Sequence, residues 1–155
     1  MSLFGNLKVY YSFSRFRKLF FLQLARLPMP GHVVRPLIIK WGGAIIKDYK
    51  KCYVGEDVHI DTIAPERIYI GENCTITTGT IILTHYKDTQ TGKWFRGDVF
   101  IGDNTFIGAN TIFTKSVKIG DNVTIGAGSI VTKDIPSNEI WAGNPAHFIK
   151  SKEVK

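Results

Sequence analysis

Aliphatic residues recur along this chain with a period of six. Isoleucine or valine stands at 54 and 60, at 70, 76 and 82, and at 101, 107, 119, 125 and 131, and Phe113 fills the remaining slot. Two positions earlier lie small or β-branched residues: Val58, Cys74, Thr80, Val99, Thr105, Thr111, Val117, Val123 and Ser129. A helix would return an apolar residue every three or four positions and a lone strand every two, so neither alone gives six. A short strand, a corner and another short strand do, with both sets of side chains pointing inward. Glycine follows many of the aliphatics, often before Asp-Asn or Glu-Asn, as in "IGEN" at 70 and "IGDN" at 101 and 119. Gly and Asn accept positive φ, so each hexad is predicted to end in a corner. Three hexads then close a triangular coil, and successive coils stack at about 4.8 Å.

The rhythm stops after Ile82 and resumes at Ile101. Between Thr84 and Asp98 the chain instead carries His85, Tyr86, Lys93, Trp94, Phe95 and Arg96. Insertions in repeat arrays bulge outward and often hold the binding function. Neutral imidazole can act as a base near pH 7, so a histidine at such an insertion is a candidate for proton transfer.

The hexads from about Val54 to Ile149, with the ending "IGAGSIVTKDIPSNEIWAGNPAHFIKSK" at 125–152, resemble the hexapeptide-repeat acyltransferases, the galactoside, maltose and polysaccharide O-acetyltransferases among them. The resemblance implies an all-β fold, a left-handed parallel β-helix, which is an exception to right-handed crossovers. It implies a homotrimer with active sites between subunits, His85 as general base and acetyl-CoA as acyl donor. By the same resemblance Ala109 and Ala127 line the pantetheine arm, Thr132 and Lys133 approach the nucleotide end, and Lys133, His147 and Lys150 stand where similar enzymes place basic residues. Asp61 stands where several members hold the sugar or orient the base, and Tyr86, Trp94 and Arg96 are expected at the acceptor. The activity implied is O-acetylation of a sugar hydroxyl, in the layout of surface polysaccharide or capsule enzymes. N-acylation of an amino sugar or nucleotide-linked amino sugar is the alternative, and a purely structural solenoid is a third.

Composition adds bounds. The 155 residues, 44% of them hydrophobic, suffice for one domain: a basic, partly helical segment 1–50, coils over 51–135 with the loop 84–98, and a tail 136–155. No GxGxxG, phosphate loop or metal-ligand spacing occurs, so no metal is expected. Two cysteines without a CxxC pair and no signal peptide fit the cytoplasm. Residues 1–50 hold nine Lys and Arg against Asp48, a charge of +8, so the remaining residues carry −1 of the total +7. Phe13, Phe16, Phe20, Leu24 and Leu27, with Arg15, Arg17, Lys18 and Arg26 between them, predict a helix ended by Pro28. It is expected to cap the coils, and peripheral contact of residues 10–27 with the inner membrane face, near a lipid-linked saccharide, is the second reading. Nucleic acid is not expected as a partner.

Overall fold

The computed structural model describes residues 12–153. Strands of two to five residues follow one another around three sheets. The first sheet stacks β1 (Ile45–Ile46), β4 (Ile68–Ile70), β9 (Val99–Ile101) and β12 (Val117–Ile119). The second stacks β2 (Tyr53–Val54), β5 (Thr75–Ile76), β10 (Phe106–Ile107), β13 (Thr124–Ile125) and β15 (Glu139–Ala142), with β16 (His147–Ser151) at its end. The third holds β3 (His59–Ile60), β6 (Ile81–Ile82), β11 (Ile112–Phe113) and β14 (Ile130–Val131). The chain visits the sheets in rotation and every pairing among these strands is parallel except β15 with β16, so the body is a triangular parallel β-helix.

The register explains the period of six. Ile76, Ile107 and Ile125 lie above one another in the second sheet, and Ile82, Phe113 and Val131 in the third. All these inward residues, and the small partners two positions before them, are buried. Each inward isoleucine gains about 1.5–3 kcal/mol over an exposed one, so the core is a column of aliphatics with Thr80, Thr105, Thr111 and Ser129 packed beside it. Their hydroxyls donate to carbonyls at the corners, as Thr111 Oγ1 does to Gly108 at 2.7 Å. Cys52 and Cys74 occupy equivalent inward slots in adjacent coils as free, buried thiols.

The corners obey a different division of labour from the one expected. Positive φ falls three positions after the inward aliphatic, on Asn73, Asn104, Asn110, Asn122 and Asn138, with φ between 54° and 63°. The glycine directly after the aliphatic is needed for closeness instead. A Cβ on Gly108 would meet the carbonyl carbon of Gly126 at 2.7 Å, and one on Gly71 the amide nitrogen of Asp103 at 2.7 Å. The asparagines also ladder between coils, Asn73 Nδ2 donating to Asn104 Oδ1 at 2.8 Å and Asn122 Nδ2 to Asn138 Oδ1 at 2.9 Å.

Three boundaries differ from the sequence reading. The coils begin at Ile45, where Ala44 and Ile46 already form an inward pair, and pairing continues through β15, where Trp141 takes the inward slot. Helix α1 (Phe13–Leu24) ends before Pro28, since Ala25 closes it. A second helix, α2 (Val34–Trp41), lies against β1 and β2 and covers the open end of the coil with Ile38 and Ile39. Arg35 joins these pieces. It is 1% exposed and donates to the carbonyls of Ala25, Leu27, Met29 and Val54 at 2.7–3.3 Å.

Candidate active site

The chain lengthens its six-residue step twice at the same edge of the prism, between the third sheet and the first. Ile82 and Ile101 are nineteen positions apart, and one coil below, Ile60 and Ile70 are ten apart. The lower excursion holds Asp61, and the upper one begins at Thr84 and His85. Because β3 pairs with β6 so that Ile60 lies under Ile82, residues distant in sequence become neighbours there. Asp61 Oδ2 lies 2.6 Å from His85 Nδ1 and accepts from the Thr84 amide at 2.7 Å and the Thr84 hydroxyl at 2.5 Å, while its Oδ1 accepts from the Ile63 amide at 2.8 Å.

Asp61 is 5% exposed. Burial works to raise its carboxyl, but the hydrogen bonds from Thr84, His85 and Ile63 outweigh that and hold it below its ordinary value. An ionised Asp61 requires Nδ1 of His85 to carry the hydrogen, which leaves Nε2 as an acceptor. The His85 side chain is 25% exposed. The pair is therefore a buried anchor beneath an accessible base. Asp61 was expected to hold the sugar or to orient the base; its buried oxygens are already engaged by Thr84, Ile63 and His85.

The insertion folds as a hairpin of β7 (His85–Lys87) and β8 (Trp94–Arg96). Asp88 shapes its turn by accepting from the amides of Gln90 and Thr91 at 2.8 and 3.0 Å. Its base is fastened by the Gly97 amide to Thr84 O at 2.8 Å and by Arg67 to Asp98 at 3.2 Å. The hairpin lays the Trp94 ring beside His85, centroids 5.8 Å apart and 34° between planes, with Trp94 68% exposed. Tyr86 stacks on Phe95, and Arg96 pairs across from His85 in the ladder. The structure thus gathers Asp61, His85, Tyr86, Trp94 and Arg96 on one edge. Thr84, wholly buried, and Arg67 went unnoticed in the sequence; the ten-residue step from Ile60 to Ile70 is the signal that marks this corner.

The residues expected at the cofactor divide between two edges. Ala109 and Ala127 stack at the corner between the second and third sheets, where the Gly128 amide donates to Ala109 O at 2.7 Å. His147 joins them, since a Cβ on Gly143 at that corner would meet its ring at 2.9 Å. Thr132 and Lys133 lie instead on the edge of His85, two coils higher, and Lys133 Nζ sits 5.0 Å over the Trp141 ring. Lys150 is exposed on β16. One hexad, roughly 20 Å of strand, separates the two edges within a chain. The remaining histidines stand elsewhere: His59 is exposed on the outer face of β3, and His32 packs on Tyr53 at 4.9 Å. Among the described residues no group of three or more His, Cys, Asp or Glu side chains is arranged to hold a metal ion.

A β-helix of six-residue repeats with a histidine and a buried carboxylate at an insertion defines the class, and comparisons agree. The family model described as bacterial transferase hexapeptide (six repeats) matches residues 98–133. A maltose O-acetyltransferase from Clostridium difficile 630 is 32% identical, with 91% of this chain and 87% of that chain covered and a TM-score of 0.65. A galactoside acetyltransferase in complex with coenzyme A is 25% identical over 90% of this chain and 81% of that one, with a TM-score of 0.65. A putative acetyltransferase, YvoF of Bacillus subtilis (strain 168), is 41% identical over 93 residues, 60% of this chain and 53% of that protein. The chain spans about half the length of the curated relatives it matches. It belongs to the hexapeptide-repeat acyltransferase family, and its coil is the left-handed parallel β-helix of that family.

Proposed function

We propose that this protein is an acetyl-CoA-dependent O-acetyltransferase that acts on a sugar hydroxyl, with His85 as general base. The observation that carries the reading is the Asp61–His85 pair at 2.6 Å, on a partly open edge beside the exposed Trp94. Nε2 of His85 takes the proton of the acceptor hydroxyl as its oxygen attacks the thioester carbonyl. The new C–O bond forms, the C–S bond of the tetrahedral intermediate breaks, and the departing CoA thiolate receives the proton from His85. Asp61 stabilises the imidazolium that exists between these steps, as a buried carboxylate does in hydrolase triads.

The donor belongs by this reading at the Ala109 and Ala127 edge, where small side chains and backbone carbonyls leave room for an extended pantetheine. Coenzyme A in the similar galactoside enzyme supports the donor class. Since His85 and that edge are a side of the prism apart, the complete site joins the His85 edge of one copy to the alanine edge of another. A homotrimer closes this head-to-tail contact with no edge left over. Trp94 offers an aromatic face for a pyranose, Arg96 shares its face of the hairpin while Tyr86 stacks on Phe95 on the other, and the maltose and galactoside enzymes among the relatives favour a carbohydrate acceptor, free or carried on a lipid. A reducing cytoplasm suits the two free thiols.

The test is release of free CoA thiol from acetyl-CoA over a panel of sugars, amino sugars and nucleotide sugars, with wild type and His85→Ala. A hydroxyl acceptor whose turnover falls by about 10²–10⁴ in the variant is the expected result. Equal turnover in the two proteins removes His85 from the chemistry, and acceptance of amines alone converts the assignment to N-acylation.

A further inference from the structure

Helix α1 has two apolar faces, and capping uses only one. Leu22 and Ala25 turn inward and are 5% and 2% exposed, with Phe21 packed beside them. On the opposite side Phe13, Phe16 and Phe20 are 83%, 68% and 53% exposed, and Leu27 just beyond the helix is 54% exposed. Phe16, Phe20 and Leu27, with Leu19, Gln23 and Leu24, border an open and mostly apolar groove. At 3.6 residues per turn the two stripes lie nearly opposite each other. Lys18 pairs with Glu66 at 2.8 Å and Arg26 with Asp57 at 2.8 Å. These contacts fasten the middle of α1 and the turn that follows it to the first coil, so the second stripe is held facing away from the protein. A contiguous apolar surface of this kind marks a contact site.

Charge selects the occupant. Residues 1–50 carry +8 and the remainder −1. Arg17 is exposed between Phe16 and Phe20, and Lys40 and Lys50 are exposed on the same N-terminal unit. A second α1 packed on this face would bring like charge to like charge. An anionic bilayer offers both an apolar layer for the phenylalanines and negative headgroups for the cations. We propose that the outward face of α1, flanked by Arg17, rests on an anionic lipid surface as an interfacial helix. Its 12 residues lie in the membrane plane, and among the described residues no helix is long and apolar enough to cross a bilayer. In any assembly whose symmetry axis follows the coil axis, the copies of α1 share one end, and several weak contacts act together.

Flotation of the full chain tests this, with vesicles of phosphatidylcholine alone and of phosphatidylcholine with a third phosphatidylglycerol. The wild type is expected to float with the anionic vesicles at about 0.1 M salt and to be released at about 0.5 M or with neutral vesicles. The variant Phe16→Ser/Phe20→Ser should bind at least about tenfold less, with unchanged circular dichroism, unchanged oligomeric mass and unchanged release of CoA thiol with a soluble acceptor. Arg17→Glu should weaken binding in the same direction. Absence of flotation by the wild type, or equal flotation of wild type and double variant, overturns the proposal. A double variant that loses oligomeric mass also overturns it and makes this face a protein interface. The flotation and oligomeric-mass outcomes do not depend on whether the chain transfers acetyl groups.

Discussion

At the scale of single residues, the arrangement turns on one nitrogen of His85 being committed so that the other is available. Asp61→Asn removes the charge that fixes this tautomer while keeping a similar shape. Turnover should fall by about 10²–10⁴, with the Michaelis constant for acetyl-CoA nearly unchanged, as steady-state kinetics would show; a loss confined to that constant would place Asp61 at the donor instead. The same carboxyl sets a pH dependence. Its folded value lies below its unfolded one of about 3.9. Its contribution to stability is therefore fully present above about pH 4 and is lost as pH falls through the folded value. Urea midpoints should decline more steeply below pH 4 for wild type than for Asp61→Asn. His85 stands out in the sequence because the count of six fails there. Its pairing with Asp61 was implied only by resemblance, as one of two roles, because the two are 24 positions apart and only the stacking of β3 on β6 makes them neighbours.

At the scale of elements, the coil was read correctly from periodicity because inward positions are decided by burial alone. The corners were read in part: positive φ falls there on asparagine and on Gly79 and Gly128 as expected, whereas the glycine directly after the aliphatic answers to close approach. Gly108→Ala should cost about 1–3 kcal/mol through overpacking against the next coil, whereas Asn110→Gly, at φ 56°, should change stability by less than about 1 kcal/mol; thermal or urea unfolding separates them. The N-terminal unit was legible only as helical and basic. Its second helix and the central place of Arg35 depend on tertiary contacts that no local pattern announces. Arg35→Ala leaves buried carbonyls without a donor and should destabilise the protein by about 3–5 kcal/mol. The hairpin β7–β8 makes a narrower prediction: Trp94→Ala should raise the Michaelis constant of the acceptor by about tenfold and leave that of acetyl-CoA unaltered.

At the scale of the whole molecule, a single chain holds the two halves of the proposed site on different edges. His85, Asp61 and Trp94 occupy one, and Ala109, Ala127 and His147 the other. By the proposed mechanism, acetyl transfer takes place where these edges of two copies meet, with His85 of one facing the donor held by its neighbour. The most direct measurement is activity of His85→Ala and Ala127→Trp made separately and then co-expressed. Each alone should be inactive, because every site in its homotrimer is defective. Random mixing at equal amounts should restore about a quarter of wild-type turnover, since a site is intact when its base comes from the Ala127→Trp chain and its donor edge from the His85→Ala chain. Folded, mixed oligomers with no recovered activity would contradict the shared site and return both functions to one chain.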